Sequence, residues 1–121
     1  MQATINGVQV NWREAGHGDP VIFLHAFPMH SGMWDAQLSA LPPGWHGIAP
    51  DFRGFGRSAG SQSGPYTMEV FADDVIALAD HLGVAHVVLC GLSMGGYVAY
   101  AAFRKYSHRI RGLILCNTRA T

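Results

Sequence analysis

The stretch Val87-Val88-Leu89-Cys90-Gly91-Leu92-Ser93-Met94-Gly95-Gly96 decides the fold. Its first four residues are an uncharged apolar run, the mark of a strand covered on both faces. The run empties into Gly-x-Ser-x-Gly, and beyond Gly96 the pattern turns helical. A strand that becomes a helix over so few residues must turn sharply, and the serine at the centre projects from the end of the sheet. Gly91 and Gly95 flank Ser93 where a Cβ would strike neighbouring backbone, and Gly96 lets the helix lie close to the strand. Ser93 then stands at the positive end of a helix, with N–H groups facing any oxyanion that forms beside it. The preceding strand and the following helix separate this run from a glycine-rich turn with an incidental serine.

Upstream, residues 3–5 and 8–14 flank Asn6-Gly7 and read as a hairpin. Val21-Ile22-Phe23-Leu24 is a buried strand, residues 31–41 a short helix stopped by Pro42-Pro43-Gly44, and residues 47–49 a third strand closed by Pro50-Asp51. Residues 66–82 carry a helical apolar stripe that ends at Gly83. Strand 86–90, a helix from Ser93 to about Tyr106 and strand 113–116 complete the chain. A hairpin followed by alternating strands and helices predicts one α/β domain over residues 1–121, with a mostly parallel sheet of about six strands and helices on both faces. In such a sheet the chemistry collects at the carboxyl ends of the parallel strands. His25, Phe27 and His30 fall at that end, as do Asp51, Arg53, Ser93 and Asn117. His46, His81, His86 and His108 fall at the other, so His108 is poorly placed to serve Ser93.

Composition narrows the class. About half of the 121 residues are apolar, in keeping with an ordinary globular domain. No apolar run approaches the ~20 residues that cross a bilayer, and Met1-Gln2-Ala3-Thr4 has no signal pattern, which points to the cytoplasm and away from the membrane. All eight acids precede Ser93 against three arginines there, a balance of −5; the five cations Arg104, Lys105, Arg109, Arg111 and Arg119 follow it, a balance of +5. No nucleic-acid motif accompanies that basic end, so it reads as a solvated face or one half of a charge-complementary contact between chains. Cys90 and Cys116 lie in apolar strand patterns and read as buried free thiols. The seven histidines show no metal-ligand spacing, so neither a metal nor another cofactor is expected.

Three motifs occur in order: His25-Ala26-Phe27-Pro28 after a strand, Asp51-Phe52-Arg53-Gly54-Phe55-Gly56-Arg57-Ser58 after the next, and Gly91-Leu92-Ser93-Met94-Gly95-Gly96 at the turn. Together they resemble the α/β-hydrolase superfamily, in the bacterial branch of 3-oxoadipate enol-lactonase-like and carboxylesterase-like proteins. The resemblance runs from residue 1 to about 118 and corresponds to the N-terminal part of a family member, without the cap and the last strands. It implies Ser93 as acyl nucleophile and an oxyanion hole built from the Phe27 and Met94 backbone N–H groups. It gives the Asp51–Ser58 loop a structural role. Family members usually carry His-Gly where this chain has His25-Ala26. In the family the triad continues with an acid and then a histidine. Residues 94–121 hold no Asp or Glu and one histidine, and Asn117 stands where some relatives place the acid.

The leading expectation is a small serine hydrolase acting on carboxylic esters, with His25, His30 or a group from another chain as the base. Met29 and Trp34 are candidate linings for the substrate pocket. An oxyanion hole with binding alone retains roughly 10³–10⁴-fold acceleration over water when a triad is broken, so weak turnover of activated esters is the expected level. The rival is a non-catalytic assembly module that needs a partner chain for the acid and histidine. A cofactor-free perhydrolase shares the same turn, whereas a haloalkane dehalogenase needs a carboxylate where this chain has Ser93. Strand 113–116 would be an exposed apolar edge, which predicts self-association through it or through an uncovered sheet face.

Overall fold

Asn6 and Gly7 both take left-handed backbone angles, φ 50° and 83°, as a two-residue hairpin turn requires. They fold β1 (Gln2–Ile5) antiparallel onto β2 (Val8–Gly16). The computed structural model, which describes residues 1–58 and 66–117, continues with β3 (Gly18–Leu24), β4 (Gly44–Pro50), β5 (Val87–Leu92) and β6 (Ile110–Cys116). The six strands form one sheet in the order β1-β2-β4-β3-β5-β6. β2 runs antiparallel to β4, placing Trp12 opposite Pro50, while β4, β3, β5 and β6 are mutually parallel. The α/β class and the strand count read from the sequence both hold.

Side chains cap the 3-10 turn over Ser31–Trp34 and the longest helix. Thr67 Oγ1 accepts the Val70 N–H at 3.1 Å, so α2 (Met68–His81) starts two residues later than its apolar stripe predicts. The predicted helix over 31–41 divides into a 3-10 turn over Ser31–Trp34 and a short α1 (Asp35–Ser39). His30 caps the 3-10 turn, and the Met33 N–H reaches back to the His30 carbonyl at 3.1 Å. α3 (Met94–Tyr106) follows β5 with Ser93 alone between them.

Alternate strand residues bury on opposite faces. Ile22, Leu24, Ile48 and Leu89 pack with Phe71, Val75 and Leu78 of α2 and Val98, Ala99 and Ala102 of α3. Val21, Phe23, Ala49 and Cys90 form a smaller cluster with Trp34 and Leu38. Its helix, α1, is only five residues long. Beside it an apolar groove of about 170 Å³ lies between Phe23, Leu41, Trp45, Val88 and Ile114. Edge position also decides the cysteines. Cys90 is buried, but Cys116, at the end of the edge strand β6, is exposed, contrary to its apolar context in the sequence.

Charge is neutralised within the chain. Arg104 faces Glu69 at 3.9 Å, Lys105 Asp73 at 2.8 Å, Arg109 Asp80 at 2.7 Å and Arg111 Asp19 at 3.8 Å. Four of the five cations after Ser93 therefore meet acids that precede it, and Arg119 lies outside the described residues. The expected pull between the charged halves of neighbouring chains is spent inside one molecule. Asp73 and Asp74 sit in the second turn of α2, not at its start, so ion pairing rather than the helix dipole holds them. Arg53 binds Asp74 through two contacts of 2.7 Å, with both side chains largely buried. Removing one member of such a buried pair costs about 3 kcal/mol or more, whereas exposed pairs contribute about 1 kcal/mol or less. Arg53→Ala is therefore expected to lower the urea-unfolding free energy several-fold more than Arg111→Ala; equal losses would contradict that assignment.

Candidate active site

Ser93 has φ 54° and ψ −109°, is exposed, and stands at the carboxyl end of β5 with α3 beginning at Met94. A non-glycine residue in that region costs on the order of 1–3 kcal/mol and persists only where its surroundings hold it. Those surroundings are specific. The Ser93 N–H donates to the Cys116 carbonyl of β6 at 3.0 Å, and the Ser93 carbonyl accepts the Gly96 N–H at 2.9 Å. A Cβ on Gly91 would lie 2.4 Å from the Gly95 carbonyl, and one on Gly95 would lie 2.1 Å from the Leu24 oxygen. Only glycine permits either approach. The same closeness sets the first turn of α3 against the end of β3, beside the turn that carries Phe27.

That turn is tied by the Met29 N–H to the Ala26 carbonyl at 2.8 Å and by the Ala26 N–H to Met33 Sδ at 3.4 Å. The Phe27 ring is 67 % exposed and meets Phe55 edge-on at 5.8 Å. Met29 is also exposed. Trp34 is not; it is 6 % exposed and packs on Phe23 at 5.0 Å, so it belongs to the core. Its Nε1 is buried and has no partner among the described residues.

Neither candidate base offers a free lone pair. His25 is fully buried; its Nε2 accepts the Phe52 N–H at 3.0 Å, which leaves Nδ1 to donate to the Ala26 carbonyl at 3.0 Å. The rings of Phe52 and Phe55 lie 4.4 and 5.4 Å from it. His25 is thus a bolt between the loops after β3 and β4, which corrects its reading as a base. His30 is exposed, and its Nδ1 accepts the Gly32 N–H at 3.0 Å. As placed, it caps a turn.

Asp51 is the second bolt. Its carboxylate accepts the Ser31 N–H at 2.7 Å, the Arg57 N–H at 3.0 Å and Asn11 Nδ2 at 3.1 Å. Burial works to raise its pKa, and these donors outweigh burial and hold it low. A Cβ on Gly56 would lie 2.5 Å from the Asp51 carboxyl carbon, which explains a glycine there. The spacing of the Asp51–Ser58 motif could suggest this loop, but nothing in it signals that Asp51 reaches Ser31, twenty positions away.

The family model for the α/β-hydrolase fold matches residues 19–121. The chain belongs to that family. It is 37 % identical over 114 residues to a non-heme chloroperoxidase of Kitasatospora aureofaciens, covering 93 % of this chain and 41 % of that one. It is 32 % identical over 119 residues to 3-oxoadipate enol-lactonase 2 of Acinetobacter baylyi, covering 97 % and 44 %. A thermophilic esterase from Thermogutta terrifontis, solved with malate bound, superposes with a TM-score of 0.92 at 45 % identity, over 99 % of this chain and 46 % of that one. The chain thus spans less than half the length of these relatives.

Burial lowers the His25 pKa, and the Ala26 carbonyl and the Asp51 charge only partly restore it. A histidine held below its unfolded value near 6.5 contributes stability above that pH and loses it as pH falls toward the folded value. His25→Ala, which leaves the Phe52 N–H unpaired and opens a void, is expected to cost about 3 kcal/mol at pH 7. That difference from wild type should shrink at pH 5 in urea unfolding; a difference that grows on acidification would contradict the neutral, buried ring.

Proposed function

We propose that this chain carries the nucleophile of a serine hydrolase acting on carboxylic esters. The observation that carries the reading is Ser93, exposed in a positive-φ turn between β5 and α3, the geometry of a nucleophile elbow. Ser93 Oγ attacks the carbonyl carbon of a small ester, and the Phe27 and Met94 N–H groups hold the tetrahedral oxyanion. The alcohol departs, and water clears the acyl-enzyme. With the imidazoles of His25 and His30 engaged in the fold, proton removal from Ser93 falls to a group on another chain. No cofactor enters this scheme. The esterase and enol-lactonase among the relatives support the class, and a further relative is a bifunctional esterase/perhydrolase of Acinetobacter calcoaceticus, 43 % identical over 105 residues.

Activated esters such as p-nitrophenyl acetate should be hydrolysed slowly, and a fluorophosphonate should label one serine per chain. Ser93→Ala is expected to abolish both. Unchanged labelling in that variant would make Ser93 a bystander.

A second reading is an assembly module whose active site forms on association, in the cytoplasm. It is favoured by the exposed β6 edge, with Ile114 51 % exposed beside the apolar groove. With charges paired internally, the association would be driven by apolar burial alone. No helix among the described residues is long and apolar enough to cross a membrane. Light scattering on the eluting chain is expected to give a multiple of 13.1 kDa that withstands high salt. A 13.1 kDa species at high concentration would contradict it.

A further inference from the structure

Two thiols converge beside Ser93, and the ester-hydrolase scheme uses neither. In the β5–β6 register Cys90 pairs with Ile114 and Leu92 with Cys116. Cys90 and Cys116 are therefore diagonal neighbours on one face of the sheet, two residues out of step. Their side chains are within hydrogen-bonding reach of each other. They differ in access: Cys90 is buried and Cys116 exposed. Cys116 ends its edge strand, and Asn117 after it turns away at φ 48°. The Cys116 carbonyl is also the acceptor of the Ser93 N–H.

We infer that Cys90 and Cys116 are a peroxide-sensitive dithiol that closes into a disulfide and, in closing, moves the carbonyl that holds Ser93 in its turn. The displacement follows from spacing. Residues two out of step on adjacent parallel strands stand ~8 Å apart, from a ~4.8 Å strand spacing and two ~3.3 Å rises, whereas a disulfide needs Cα atoms ~4.4–6.8 Å apart. Closure must draw the two residues together by roughly 2–3 Å. Cys90 is anchored in the core between Val21, Phe23 and Ala49. Cys116 is exposed at the end of β6, which has no strand on its far side among the described residues, so it is the one that moves, and its carbonyl moves with it. The 3.0 Å bond to the Ser93 N–H cannot survive a shift of that size.

The chemistry balances with hydrogen peroxide as oxidant. The exposed Cys116 thiolate attacks one peroxide oxygen, the O–O bond breaks, and hydroxide leaves with a proton as water. Cys116 is then a sulfenic acid. Cys90 sulfur attacks the Cys116 sulfur, the S–O bond breaks, and the departing hydroxide takes the Cys90 proton. Two thiols and one peroxide give one disulfide and two waters. Burial pushes the Cys90 thiol up to about 11, so it remains protonated and serves as the resolving group rather than the first to react.

The test treats the full chain with hydrogen peroxide and separately with diamide, then reads two signals. Peptide mass analysis under non-reducing conditions should find Cys90 joined to Cys116 within one chain, and dithiothreitol should reverse it. This readout is independent of whether Ser93 is a nucleophile. Amide hydrogen exchange at Ser93 should accelerate at least tenfold in the oxidised chain and return on reduction. In Cys90→Ala, diamide should leave the ratio of treated to untreated exchange at one. Two free thiols after treatment, or a Cys116–Cys116 link between chains, would overturn the pair. A disulfide that forms without changing Ser93 exchange would overturn its coupling to the turn. The fluorophosphonate result for Ser93 then stands or falls separately.

Discussion

The first turn of α3 rests on the end of β3 with no room for a side chain between them. A Cβ on Gly95 would sit 2.1 Å from the Leu24 oxygen and 3.0 Å from that of His25. Everything at the carboxyl end of the sheet depends on this approach. It lets α3 start one residue after β5, forces Ser93 into a left-handed backbone conformation, and brings the Phe27 turn alongside the helix start. Were the helix a few ångströms further off, Ser93 could relax out of its turn. The strain at Ser93 is sustained by hydrogen bonds from two directions, from its own helix and from β6.

The loops around that point are held by polar groups that are buried and fully used. His25 joins the loop after β3 to the loop after β4 through the Phe52 N–H, and Asp51 joins them again through the Ser31 N–H. Each bolt carries the asymmetry of buried polar groups. Satisfied, it contributes modestly; broken, it leaves an unpaired partner at about 1–3 kcal/mol. Such groups rigidify the frame around Ser93, and for the same reason they are spent as acids and bases. Neither of the two histidines at this end of the sheet is left free to accept a proton.

Much of this was legible in the residues. Gly91, Gly95 and the flanking apolar run announced the turn, because a strand passing directly into a helix leaves no room for a Cβ at either glycine. Asn6-Gly7 announced the hairpin. The continuous apolar runs announced parallel strands, although a run such as 47–49 marks only the buried part of β4, which extends back to Gly44. What spacing could not show were pairings across long separations. Arg53 with Asp74 and the four C-terminal cations with their upstream acids turned an apparent charge split into internal neutralisation. Cys116 and Trp34 were misplaced for a related reason, since an apolar neighbourhood in sequence does not say which face of a sheet is covered. Asp51 and the histidines show the same limit, for only the fold reveals which polar groups are already paired.

The central claim is that Ser93 is an acyl nucleophile facing an oxyanion hole formed by Phe27 and Met94. The most direct measurement is a crystal structure of the chain after reaction with a small alkyl fluorophosphonate. Phosphorus is expected on Ser93 Oγ, with the phosphoryl oxygen within hydrogen-bond distance of both the Phe27 and Met94 N–H groups. An adduct on another residue, or one on Ser93 whose phosphoryl oxygen points into solvent away from both donors, would contradict it.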